Sequence, residues 1–208
     1  AVCIAIRSLK LVPCRVACAK VIICHFLTTF KLEIFTTFRQ VFNKKVMTIT
    51  LKKMTTKPGI LTITRTDGSI TWTKLHKGLE THDLAHFAVE STLQFDNAFY
   101  GLINKGYTVA DFELPKEQRP FEVRPENMHE NAIITEHIVN LLEIEFMNSG
   151  FNNCFLEDLK KILSEHHLSF PKLLNLESLE NIRTMYHDLV NKWLALEEGQ
   201  ELRIMFKP

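Results

Sequence analysis

Glycine is scarce and scattered: the chain has seven in 208 residues, and the nearest pair, Gly101 and Gly106, are five apart. That excludes a glycine-rich phosphate loop. Cysteine is equally uninformative as a framework. Cys3, Cys14, Cys18 and Cys24 precede Met47 and only Cys154 follows it, with no Cys-x-x-Cys pair anywhere and His25 as the only histidine near the first four. Neither a zinc knuckle nor a disulfide scaffold fits that spacing. A lone thiol at Cys154 suits a reducing compartment, so a cytoplasmic location is expected.

Long apolar runs are also missing. Arg15 and Lys20 break the most apolar stretch well short of the roughly 20 residues that a spanning helix needs. A basic surplus is absent where a nucleic-acid binder would carry one. Before Met47, eight basic residues (Arg7, Lys10, Arg15, Lys20, Lys31, Arg39, Lys44 and Lys45) face Glu33 alone, a net charge of +7; since the whole chain is +1, the remainder is −6. The acidic remainder argues against nucleic acid as a partner.

This charge step, coinciding with the cysteine step, marks residues 1–46 as a separate basic extension. Three origins fit it: an upstream reading-frame extension, a cleaved organelle-targeting segment, or a membrane anchor. Under the first two, removal of everything before Met47 leaves stability unchanged. The rest, with 46% hydrophobic and 24% charged residues overall, has enough apolar material for one globular domain, expected over 58–208 and not associated with a membrane.

Periodicity predicts its elements. Ile60–Arg65 and Ser69–Lys74 alternate β-branched and polar residues around Asp67-Gly68, a hairpin signal. Thr81 is the expected N-cap of a helix running to about Leu93, with Asp83 in its first turn. A short helix over 97–105 should stop at Gly106. Residues 114–125, with three prolines, read as an extended connection. Helices follow over 126–148, 155–166 and 176–196, and Glu201–Phe206 alternates as a closing strand expected to pair with the hairpin. The prediction is therefore α+β: a small antiparallel sheet, N-terminal hairpin plus C-terminal strand, packed on about five helices.

One group of residues carries chemistry. His82, His86 and Glu90 recur every fourth residue, at about 0°, 40° and 80° around a helix axis. Two imidazoles one turn apart can reach a single divalent ion such as zinc. Glu90 rises about 12 Å above His82, which puts it beyond an ion held by both histidines. Val89 and Leu93 lie close to the His82 direction while Leu84, Phe87, Ala88 and Phe95 form the opposite face, so the helix is apolar on two sides and its polar groups need partners. A metal, a direct His–Glu hydrogen-bond network and a satisfied core all remain open. A third ligand would come from His129, Glu136 or His137 on the 126–148 helix, although an ordinary solvated surface is the expected role of those three. Glu90 or Asp83 would handle protons.

The segment His82-Asp83-Leu84-Ala85-His86 with Phe87-Ala88-Val89-Glu90-Ser91 behind it, preceded by Thr66-Asp67-Gly68-Ser69-Ile70-Thr71-Trp72, resembles an uncharacterised bacterial family with a tryptophan-bearing hairpin and an HDLxHxxxE helix. The resemblance spans about Asp67 to Tyr107. More distantly, His-Asp-x-x-His is similar to the zinc motif of the coenzyme Q biosynthesis family. That family has a glutamate twelve residues after its second histidine, where Ala98 stands here, so the resemblance implies only metal ligation by His82 and His86. The expectation is a metal-dependent enzyme of hydrolase or lyase type acting on a small molecule. The alternative is a non-enzymatic helical interaction module, in which the helices of 126–196 offer a partner surface and the histidine cluster is structural.

Overall fold

The structure, a computed structural model, describes residues 46–75 and 78–207. All but the last residue of the basic extension, including its four cysteines, lies outside the described residues, as do His76 and Lys77. The fold is α+β. Strands β1 (Met47–Lys52), β2 (Ile60–Thr64), β3 (Ile70–Lys74) and β4 (Glu201–Phe206) form one antiparallel sheet in the order β3-β2-β1-β4. Its helices are α1 (Glu80–Leu93), α2 (Phe99–Asn104), α3 (Val109–Glu113), α4 (Glu130–Met147), α5 (Phe155–Glu165) and α6 (Leu176–Ala195). None of them is long and apolar enough to cross a membrane.

The expected hairpin is β2–β3. Arg65 N–H donates to the Ser69 carbonyl at 2.8 Å, Asp67 Oδ1 accepts from the Ser69 N–H at 2.7 Å, and Gly68 alone takes a positive φ, 91°. That is a three-residue loop with glycine at the left-handed position, which β-branched residues disfavour. The closing strand does not join this hairpin. It pairs with β1, Met47 opposite Phe206 and Lys52 opposite Glu201, and β1 in turn pairs with β2. β1 lies before the expected domain start at Pro58 and occupies the sheet interior. Met47, Ile49 and Leu51 point inward and are fully buried, while Thr48 and Thr50 face outward.

The helices cover one face of the sheet, where Leu61, Ile63, Leu202, Ile204 and Phe206 continue the core. Helix α1 is buried around nearly its whole circumference from Leu84 to Glu90 because it packs against α4 and α6 and sets Phe87 on Phe206, ring centres 6.3 Å apart. It starts earlier than the expected Thr81 cap. Leu79 is the N-cap without any side-chain bond, and its carbonyl accepts the Asp83 N–H at 3.0 Å. Glu80 reaches back to the Gly78 N–H at 2.7 Å, a local bond that competes with capping by Thr81.

Two short 3-10 turns, Lys116–Gln118 and Phe121–Val123, interrupt the proline-rich connection, and α4 begins only at Glu130. The expected stop at Gly106 holds, with φ 116°, and Ser149, after the end of α4, also takes a positive φ, 51°.

Candidate metal centre

His82 and His86 come from consecutive turns of α1, and their rings are tilted against each other with centres 4.8 Å apart. Their Nε2 atoms converge to 3.2 Å. Helix α4 presents Glu136 to the same point, with Oε1 3.3 Å from His86 Nε2 and Oε2 3.8 Å from His82 Nε2. One donor atom from each of the three residues lies within 4.8 Å of the other two. Zinc bonds of about 2.0–2.1 Å meeting at the tetrahedral angle place donors about 3.3 Å apart, so the spacing of the two imidazole nitrogens fits one ion.

The far sides of both rings are also occupied. His86 Nδ1 lies 3.3 Å from Glu90 Oε1, and His82 Nδ1 lies 3.3 Å from Glu143 Oε2. Glu90 is fully buried, yet its other oxygen accepts the backbone N–H groups of Tyr100 at 2.9 Å and Gly101 at 3.2 Å. Those donors open α2 and have no helical acceptor of their own, so the carboxylate and the helix end satisfy each other. Burial opposes the charge of His86, but hydrogen bonds and the charges of Glu136 and Glu90 outweigh it and raise the imidazole to about 10. Burial pushes Glu90 upward against His86 and the two N–H donors. Glu136 is lowered on balance, because the two histidines outweigh its own partial burial. The imidazolium of His86 therefore stands between carboxylates in the metal-free protein.

Of the third-ligand candidates, only Glu136 joins the group. About half its side chain stays exposed, as a solvated helix face requires, but that face lies against α1. His129 instead caps α4, its Nδ1 accepting the Asn131 N–H at 3.1 Å. His137 stacks on His166, ring centres 4.8 Å apart. Asp83 is outside the group; it lines a separate cavity of about 190 Å³ with Leu61, Leu75, Leu79, Phe99 and Phe112. Glu143 is the residue that sequence reasoning misses. Its seven-residue spacing from Glu136, two turns along one face, is the signal that marks it.

No family model matches the chain, nor does any curated protein or solved structure.

Proposed function

We propose that the chain is a metal-dependent enzyme of hydrolase or lyase type, in which His82 Nε2, His86 Nε2 and a Glu136 carboxylate oxygen hold one divalent ion, with zinc as the best fit. The single observation carrying this reading is the convergence of three donors from two helices on one point. His86 Nε2 has His82 Nε2 at 3.2 Å and Glu136 Oε1 at 3.3 Å, and its one N–H cannot satisfy both well. An ion would remove that competition. Two imidazoles and a carboxylate are also a donor set found in catalytic zinc sites, and metal ligation by the two histidines is what the family resemblance implies.

When bound, such an ion acidifies water and polarises carbonyl groups. His82 keeps a quarter of its side chain accessible and Glu136 half, so water and a small-molecule substrate can approach from their side. Glu90 sits behind His86 and touches no solvent; its role is to hold the ring, and proton handling falls to the exposed side of the centre. The exposed, free thiol of Cys154 supports a reducing, cytoplasmic setting. Glu157 and Asp158 hold that thiol above its ordinary range, which makes it a poor nucleophile.

One observation favours the non-enzymatic reading. His86 is buried with carboxylates at both ring nitrogens, Glu90 from its own helix and Glu136 from α4, so the cluster can clamp α1 to α4 without an ion. Metal content separates the two. Elemental analysis of protein purified without a histidine tag should show close to one metal per chain, lost in His82→Ala and His86→Ala while both remain folded. Wild-type protein that stays metal-free after zinc is supplied would overturn the enzyme reading.

A further inference from the structure

Glu143 takes no part in holding the ion, yet its carboxylate is directed at the one nitrogen of His82 that the ion would leave free. Glu143 Oε2 is 3.3 Å from His82 Nδ1, while His82 Nε2 is turned toward His86. His86 repeats the arrangement, with Nε2 on the shared point and Nδ1 3.3 Å from Glu90 Oε1. Each imidazole is thus held between a common centre and its own carboxylate. One carboxylate comes from the same helix four residues on, the other from α4.

A neutral imidazole has one N–H and one lone pair. A carboxylate at Nδ1 draws the N–H to that side and leaves the Nε2 lone pair for the ion, and it makes the ring a stronger donor. We propose that Glu143 is the positioning residue of His82: it fixes the Nδ1–H tautomer and the ring orientation that make Nε2 the ligating atom. This rests on the reading that His82, His86 and Glu136 hold a divalent ion. An incidental surface ion pair would contribute little, but Glu143 has only 23% of its side chain exposed. It also faces the buried Tyr186 of α6, whose hydroxyl burial and the Glu143 charge push up to about 12. Protonated throughout the neutral range, that phenol adds no charge competing for His82.

The test is zinc affinity of the full chain, measured by competition with a chromophoric chelator, for wild type, Glu143→Gln and Glu143→Leu. It is paired with imidazole ¹⁵N spectra of the zinc-loaded forms. Loss of such a carboxylate weakens binding about 10–100-fold. Glu143→Leu should show that loss together with a displaced His82 Nδ1–H resonance. Glu143→Gln, which keeps an acceptor but no charge, should fall between it and wild type. If Glu143→Leu fails to fold, Glu143→Gln carries the test alone, with a loss of about threefold or more and a shifted resonance expected. Affinity within about twofold of wild type and an unchanged resonance would overturn the role of Glu143 and leave the three-ligand centre standing. Binding abolished outright in Glu143→Gln would make Glu143 a ligand and also overturn the positioning role. A wild-type chain that takes up no zinc would overturn both.

Discussion

Arg183 is buried at 6% exposure and lies against the equally buried Glu145 of α4, with Nε donating to Glu145 Oε2 at 3.0 Å and a second guanidinium nitrogen to Oε1. The same guanidinium bonds the Asn152 carbonyl at 3.0 Å and the Glu180 carboxylate at 2.6 Å. Removing one member of such a pair strands the other charge in low dielectric. Arg183→Met should therefore cost about 3–5 kcal/mol in urea unfolding, and adding Glu145→Leu should recover much of it. His86 sets a pH dependence of its own. Its folded value near 10 lies above the ordinary 6.5, so its contribution is fully present below pH 6.5 and is lost as pH rises through 10. Glu136, lowered in the folded protein, contributes above its ordinary 4.5 and loses that contribution as pH falls. The urea midpoint of metal-free protein should fall from pH 7 to 10, and the fall should be shallower in Glu136→Gln. At this scale the histidines and Glu90 were legible, because a four-residue repeat is a one-dimensional signal. Arg183 and Glu145 were not: charged residues within a helical pattern read as solvated until the partner helix is placed against them.

Helix α2 depends on a residue with no side chain. A Cβ on Gly101 would lie 2.3 Å from the backbone of Asp96, so any larger residue must drive α2 away from the turn that precedes it. The Tyr100 and Gly101 N–H groups would move with it and desert Glu90. Gly101→Ala should accordingly destabilise by about 3 kcal/mol, at the upper end for overpacking. It should also weaken zinc binding although it touches no ligand, which a melting series with and without zinc would show. Most element types and stops were readable from periodicity and from Gly68 and Gly106. Boundaries moved where local bonds outcompeted the expected ones, as Glu80 does at the start of α1. Strand β1 escaped notice because Met-Thr-Ile-Thr-Leu-Lys abuts the charge step at Met47, where alternation is overshadowed by the change in composition. The approach of α4 to α1, which supplies Glu136 and Glu143, is a tertiary event that neither helix encodes alone.

Across the whole molecule the sheet is closed by its most distant segments. A chain starting at Met47 retains β1, whereas one starting at Pro58 lacks the strand between β2 and β4; the shorter chain should show no cooperative unfolding transition by circular dichroism. The pairing of Met47 with Phe206 and of Lys52 with Glu201 also governs how the protein is made. Contacts between residues this far apart in sequence slow folding relative to a helical bundle, whose contacts are local. On the ribosome, β1 emerges among the first of the described residues and waits for the last. Until Glu201–Phe206 has been synthesised, one backbone edge of β1 stays open on the strand that carries the apolar Met47, Ile49 and Leu51, a template for pairing with neighbouring nascent chains. Aggregation during synthesis, rather than instability of the finished fold, is the vulnerability this strand order builds in.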